Sequence, residues 1–86
     1  GPAADIYGLG VILYELLAGR PPFEGPLTVV LEQVRSADPP PPSRARSDLP
    51  RDLETVCLRC LRQAPEDRYA SAADLADDLR RFLAGR

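Results

Sequence analysis

Several side chains that commonly carry chemistry are missing from this chain of 86 residues, which has no lysine, histidine, asparagine, methionine or tryptophan. All 11 basic residues are arginines, so the chain offers no amine nucleophile and no lysine to hold a phosphate. Without histidine it also lacks the commonest general base of enzymes. These absences exclude most of the familiar kinds of active site.

Charge and hydrophobicity exclude two further classes of partner. The net charge is −2, and the basic face that nucleic-acid binding requires is absent, so we expect no nucleic-acid partner. The longest apolar run, from Ile6 to Leu17, is too short to span a bilayer and contains Glu15. No secretory signal is visible. We therefore expect no membrane segment in this chain and a cytoplasmic location.

The hydrophobic pattern predicts an all-α fold of four helices and no strand, in one domain over residues 1–86. The helices are expected at about 4–18, 27–34, 50–63 and 72–83, with a proline-rich linker at 36–48. In the first helix, Asp5 suits the start and Gly19 the end. This helix is apolar on all sides, which is typical of a helix that is buried all round. Because 86 residues can hardly cover it, the chain is expected to be part of something larger.

The other helices have narrower apolar faces. The stripes comprise Leu27, Val30, Leu31 and Val34 in the second helix, Leu53, Val56, Cys57, Cys60 and Leu61 in the third, and Ala72, Leu75, Ala76, Leu79, Phe82 and Leu83 in the fourth. Ser71 is expected to cap the fourth helix, with Asp74 three residues on. The run Pro39 to Pro42 is interpreted as a stiff connection rather than as a ligand for a partner domain.

Three motifs are compatible with chemistry but are better explained structurally. Cys57 and Cys60 form a Cys-x-x-Cys pair, yet zinc would need two more ligands, so both are expected in the core. A redox helix that uses this pair stays a minor alternative. Gly8 and Gly10 lack the third glycine and preceding strand of a phosphate loop, and are expected to allow close helix contact. An acidic group, Asp74, Asp77 and Asp78, is expected to pair with Arg80 and Arg81 rather than with a metal.

Arg68 is the most informative single charge in the chain. It lies in a turn between the third and fourth helices, just before Tyr69. An arginine there is either a solvated loop residue or one that reaches inward to a buried carboxylate. Spacing alone does not distinguish these two environments.

Two separated motifs together resemble bacterial serine/threonine protein kinases. The run from Asp5 to Phe23 resembles the stretch that follows the activation segment. Cys60-Leu61, Pro65, Arg68-Tyr69 and Ser71-Ala72 resemble the element before the last helix, and Leu75 to Leu83 looks like that helix. The resemblance implies the C-terminal, lower helical part of the kinase C-lobe. The remainder of the kinase domain would then be its partner.

The resemblance also implies roles for particular residues. Asp5 matches the aspartate that supports the catalytic loop by accepting hydrogen bonds from its backbone. Arg68 matches the arginine that forms an ion pair with the glutamate of the Ala-Pro-Glu motif in the activation segment. The helix from Leu27 to Val34 matches the one that often contacts protein substrates or regulators.

The catalytic parts of the family are absent from this sequence. There is no glycine-rich loop, strand lysine, His-Arg-Asp or Asp-Phe-Gly, and Ala64-Pro65-Glu66 lies after the third helix, where the family's Ala-Pro-Glu does not occur. The resemblance implies ATP and Mg²⁺ for the larger kinase, which could be membrane-anchored. No catalytic, cofactor-binding or metal-binding residue is expected here, and the segment alone is expected to be inactive.

The alternative function is a stand-alone helical interaction module derived from a kinase fold. In either case, the isolated segment is expected to be helical but loosely packed, or to associate, because the first helix lacks its cover. If Arg68 is buried without its carboxylate partner, the unpaired charge would cost about 3–5 kcal/mol.

Overall fold

The computed structural model of the chain describes residues 1–85 and contains four α-helices. They are α1 (Pro2–Ala18), α2 (Leu27–Ser36), α3 (Arg51–Cys60) and α4 (Ala72–Leu83), with short 3₁₀ turns at Pro42–Arg44 and Pro65–Asp67. Within residues 1–85 there is no strand. The predicted all-α fold of four helices is therefore confirmed.

Helix α1 starts earlier than the sequence suggested. It begins at Pro2, after Gly1, so Asp5 lies in the first turn and does not cap the helix. Pro2 favours this start because its fixed φ suits a first helical position, where no N–H is needed. The helix ends as predicted at Gly19, whose φ of 76° is left-handed and whose N–H bonds the carbonyl of Glu15.

The core lies where α1 packs against α3. One cluster of buried side chains comprises Ile6, Val56, Cys60, Tyr69 and Leu75, and a second comprises Tyr14, Leu17, Ala18, Cys57 and Leu61. Gly10 permits the close approach: a Cβ added there would lie 2.5 Å from the Cβ of Cys60. For Gly8 the described chain forms no such contact: apart from its chain neighbours and the backbone of its own helix, no heavy atom of residues 1–85 lies within 4 Å of a Cβ added there.

Helix α3 ends at Cys60, three residues before the predicted end. The N–H of Leu61 turns to the carbonyl of Leu58, and the Leu61 side chain is buried against α1 near Gly10. The helix thus ends at the point where the Leu61 side chain packs into the core. The predicted apolar face of α3 is confirmed for Val56, Cys57 and Cys60, which are all buried.

The remaining elements lie around this core. Ser71 caps α4 as predicted, since its hydroxyl accepts a hydrogen bond of 3.1 Å from the N–H of Asp74. Of the predicted apolar face of α4, Leu75 is buried but Leu83 is exposed. The proline run lies against α1, where the hydroxyl of Tyr14 donates to the carbonyl of Pro40. The run therefore acts as a structural connection.

Candidate functional site

Arg68 connects the turn after α3 to the start of α1. Its Nε–H donates to the carbonyl of Arg62 at 2.7 Å, Nη1 to that of Ala3 at 3.1 Å and Nη2 to that of Gln63 at 3.3 Å. The guanidinium carbon lies 4.8 Å from the centre of the Tyr7 ring, within the range of a cation–π contact. Arg68 is half-buried, and its partners are backbone carbonyls and an aromatic ring rather than water alone or a carboxylate.

Two donors of Arg68 remain beyond these three hydrogen bonds. A guanidinium has five N–H groups, one on Nε and two on each terminal nitrogen. Within residues 1–85, the contacts with protein carbonyls use one N–H group on each of the three nitrogens. One N–H on Nη1 and one on Nη2 are thus left, which is the number that a carboxylate needs for a paired contact.

Asp5 lies at the same end of α1 as Arg68. Ala3 and Tyr7, which contact the guanidinium, flank it in the first two turns of the helix. Asp5 itself is exposed, and its carboxylate forms no side-chain hydrogen bond or ion pair with the residues that the structure describes. The fold therefore brings both residues singled out by the sequence to one end of one helix.

Asp5 also begins an uncovered apolar face, which we name the outer stripe of α1. Its members, Asp5, Leu9, Ile12 and Leu16, follow one another at helical spacing of four, three and four residues, and all are exposed. Ile12 is 58% exposed and Leu16 73%. A helix that is apolar all round is thus covered by this chain on one side and bare on the other.

A second uncovered surface lies on α2. In the described structure none of its residues is buried, and Leu27 and Leu31 are 72% and 55% exposed. These two leucines are four residues apart and share a face. The helix has the amphipathic pattern expected from the sequence, but this chain covers little of its apolar face.

The Cys-x-x-Cys pair belongs to the core, as predicted. Both thiols are free and buried, and the Sγ of Cys57 contacts the carbonyl of Gly10 at 3.7 Å. Burial raises the pKa of Cys57 to about 12 and that of Cys60 to about 11. Both thiols stay protonated at neutral pH, which opposes a redox role because the thiolate is the reactive form.

Two of the three acidic residues of α4 are engaged with neighbouring side chains. Asp77 pairs with Arg80 at 2.7 Å, and Asp78 pairs with Arg81. Asp78 also accepts a hydrogen bond of 2.8 Å from the hydroxyl of Tyr69, which is the main cause of its lowered pKa. The predicted pairing with Arg80 and Arg81 is confirmed for Asp77 and Asp78, whereas among residues 1–85 the carboxylate of Asp74 forms no ion pair.

Among residues 1–85 no group of three or more metal-ligating side chains is arranged to hold an ion, and the chain has no lysine for a phosphate. We assign no step of phosphoryl transfer to these residues. Nor does this part of the chain contain a helix with the length and apolar character needed to cross a membrane.

Some of the contacts at the start of α1 could not be found from the sequence. The carbonyls of Ala3, Arg62 and Gln63 leave no signature in residue type, because every residue has one. Tyr7 was visible as an aromatic residue, but its pairing with Arg68 depends on the packing of α1 against the turn after α3. The uncovered outer stripe, by contrast, follows from the excess of apolar residues in α1.

No protein-family model matches the chain, but curated proteins do. It is 44% identical over 85 residues to the serine/threonine-protein kinase PknB of Mycolicibacterium smegmatis and 46% identical over 84 residues to PknB of Mycobacterium tuberculosis. It is 51% identical over 79 residues to the serine/threonine-protein kinase PkaA of Streptomyces coelicolor. These matches cover 96%, 95% and 91% of the chain, but only 13%, 13% and 14% of the respective relatives.

Proposed function

Because the chain is a segment of a bacterial serine/threonine protein kinase, from the C-terminal part of the C-lobe, we propose that it is the helical base of a phosphotransferase. The larger protein would transfer the γ-phosphoryl group of ATP to serine or threonine of other proteins, with Mg²⁺. In such enzymes, catalysis depends mainly on positioning and on electrostatic stabilisation. The contribution of this segment is to hold the catalytic parts in place.

The outer stripe of α1 carries this proposal. An exposed apolar face of a helix that is elsewhere buried marks a contact surface. The matched segment is only 13% to 14% of the length of these relatives, so the family provides ample chain to cover such a face. We propose that the remainder of the kinase domain packs on Leu9, Ile12 and Leu16.

Asp5 and Arg68 would anchor that remainder at one end of α1. The exposed carboxylate of Asp5 is suited to accept backbone N–H groups of a catalytic loop that approaches along the stripe. The two remaining N–H groups of Arg68 are suited to the carboxylate of a glutamate in the activation segment. Both roles position other groups, and neither residue would touch substrate.

A chimaera tests this proposal directly. This chain replaces the matching segment of PknB from Mycolicibacterium smegmatis, to which it is 44% identical, and autophosphorylation is measured with radiolabelled ATP. We expect an active chimaera, and a fall in kcat of about tenfold or more for Asp5→Ala, with little change in KM for ATP. The control Asp48→Ala removes another exposed carboxylate and should retain activity.

Two outcomes would contradict the kinase-base proposal. One is a chimaera that unfolds cooperatively and binds ATP but does not phosphorylate. The other is an Asp5→Ala chimaera with the kcat of the unsubstituted chimaera. Either result, together with retained folding of the 86-residue chain alone, would favour the stand-alone interaction module.

The exposed face of α2 favours an additional role in contacting protein substrates or regulators. We propose that Leu27 and Leu31 contribute apolar contacts at such an interface. In the chimaera, the double substitution Leu27→Gln and Leu31→Gln should raise KM for a protein substrate and leave KM for a short peptide unchanged. Glu32→Gln, an exposed change on the same helix, is the matched control. Equal effects on both substrates would contradict this role.

We further propose that the segment resides in the cytoplasm, where ATP is available. The two free thiols support this location, since reducing compartments preserve thiols. A tag on this segment is exposed to a membrane-impermeant probe in rapidly quenched cells, before and after lysis. We expect the probe to label the tag only after lysis. Labelling of a tag on this segment in intact cells would contradict the proposal.

A further inference from the structure

A groove with a volume of about 460 Å³ lies between the C-terminal end of α1 and the 3₁₀ turn Pro42–Arg44. Four prolines line it: Pro21, Pro22, Pro40 and Pro41. Its size is within the range of roughly 300–1,000 Å³ that is usual for ligand pockets, which are mostly apolar with a few placed polar groups. The groove lies away from the outer stripe, since its contribution from α1 comes from Tyr14 and not from the stripe residues.

The proline walls leave the groove poor in backbone hydrogen-bond donors. Proline has no N–H, so Pro21, Pro22, Pro40 and Pro41 contribute carbonyls alone. The carbonyl of Pro40 accepts a hydrogen bond of 2.5 Å from the hydroxyl of Tyr14, and that of Pro41 accepts one of 3.0 Å from the N–H of Arg44. Strong donors for a ligand must therefore come from side chains, and Arg20 and Arg44 are the two arginines in the lining.

Arg20 and Arg44 both lie close to Tyr14, and all three residues line the groove. Burial raises the pKa of Tyr14, with Cys57 and Glu54 adding to the rise, and the charges of Arg20 and Arg44 both oppose it. Among residues 1–85 Arg44 has no ion pair, and its side chain is exposed. Arg20 has one partner, Glu24, at 3.9 Å, and both side chains are more than half exposed. Such an exposed pair contributes little to stability. Glu24 also lines the groove, so of the two arginines Arg44 offers the guanidinium without an ion pair.

We propose that this groove docks an acidic segment of a partner protein. The carboxylates of that segment would pair with Arg44 and Arg20, whose planar guanidiniums suit paired contacts with carboxylate oxygens. An adjacent apolar side chain of the segment would pack on the proline rings. This inference is independent of the kinase-base role, because it uses neither the outer stripe nor Asp5 and Arg68.

Fluorescence anisotropy with two labelled peptides tests the proposal on the 86-residue chain that carries Ile12→Gln and Leu16→Gln, two exposed changes outside the groove that should suppress association of the chain. The probe is fluorescein-labelled Gly-Phe-Glu-Glu-Leu-Gly, and its neutral partner is Gly-Phe-Gln-Gln-Leu-Gly. We expect saturable binding of the acidic peptide and at least about tenfold weaker binding of the neutral one, as befits hydrogen bonds between charged groups. In labelled protein, the amide resonances of Arg44 and Ala45 should shift on titration, and those of α4 should not.

Matched substitutions separate this site from general attraction between opposite charges. Arg44→Gln should weaken binding of the acidic peptide about tenfold and Arg20→Gln severalfold. Arg46→Gln removes the same charge two residues away, outside the groove, and should change binding less than about twofold. All three positions are exposed, so helical content should be unchanged.

Three results would overturn the proposal. They are an Arg46→Gln effect as large as that of Arg44→Gln, equal binding of the acidic and neutral peptides, and the absence of saturable binding at millimolar peptide. A failure of the kinase chimaera would not bear on any of them. Success of the chimaera likewise leaves the peptide measurements to decide the matter.

Discussion

The guanidinium of Arg68 donates a hydrogen bond to the carbonyl oxygen of Ala3, which lies 65 residues earlier in the chain. This contact joins the turn after α3 to the first turn of α1. It also removes a difficulty raised by the sequence, where a buried Arg68 without its carboxylate would have been an uncompensated charge. Backbone carbonyls and the ring of Tyr7 contact the charged guanidinium of Arg68, and its exposed part is solvated by water.

Replacement of Arg68 should destabilise the isolated chain. Because three carbonyls would lose a charged donor, we expect Arg68→Gln to lower the free energy of unfolding by about 1–3 kcal/mol. Arg68→Lys should cost nearly as much, since an ammonium cannot reproduce the planar set of donors. Urea unfolding followed by circular dichroism measures both. Arg62→Gln is the control, because the side chain of Arg62 is exposed and Arg68 contacts only its backbone carbonyl, so the free energy of unfolding should not change. An Arg68→Lys chain as stable as the unsubstituted chain would contradict the expected role of the guanidinium.

The outer stripe of α1 should make the isolated chain prone to association. We expect it to bind a dye specific for exposed apolar surface and to sediment partly as oligomers. The double substitution Ile12→Gln and Leu16→Gln should reduce both properties and keep the helical content, because neither side chain is buried. Leu83→Gln is the control at an exposed leucine on α4. A strictly monomeric parent chain with no dye binding would refute the expectation.

The helices and their main faces could be predicted from the sequence because they depend on local patterns. The end of α1 at Gly19 and the cap at Ser71 are set by residue types with specific backbone roles. The early end of α3 could not be predicted in this way, because the position of Leu61 depends on its packing near Gly10. Gly8 and Gly10 look alike in sequence and differ only in what faces them.

The candidate site was predictable in part for the same reason. Asp5 and Arg68 were identified through resemblance, and the fold brings them to one end of α1. The carbonyl partners of Arg68 and the proline-lined groove arise from distant segments meeting in space. The sequence names the prolines and arginines, but it does not say that Arg20 and Arg44 lie on one groove.

Alkaline pH should destabilise the chain through its two cysteines. Burial raises the pKa of Cys57 from 9.0 to about 12 and that of Cys60 from 9.0 to about 11. The unfolded chain releases both protons near pH 9, whereas the folded chain retains them. The contribution of the two protonated thiols to the free energy of unfolding is therefore fully present below about pH 8. It should fall as pH rises from about 9 to 11, by about 1.4 kcal/mol per pH unit for each thiol.

Urea unfolding at a series of pH values measures this slope. The double variant Cys57→Ala and Cys60→Ala should be less stable at pH 7, because buried volume is lost, but should have a flatter profile between pH 9 and 10. The raised pKa values of Tyr14 and Tyr69 add to the fall above pH 10 in both proteins. Identical slopes for the two proteins between pH 9 and 10 would exclude the cysteines as the cause.

A methyl group at position 10 should force α1 and α3 apart. In Gly10→Ala the new Cβ would lie 2.5 Å from the Cβ of Cys60 and 3.0 Å from Cδ2 of Leu61. The Cβ of Cys60 is fixed to the backbone of α3, so a change of side-chain rotamer cannot relieve the overlap. We expect a loss of about 1–3 kcal/mol in the free energy of unfolding, as is usual for overpacked cores. Gly8→Ala provides the matched control, since the added Cβ meets open space in the described structure and alanine favours the helix by up to about 1 kcal/mol. Urea unfolding of both variants tests the contact, and a Gly10→Ala chain as stable as the Gly8→Ala chain would show that α1 and α3 do not approach this closely in solution.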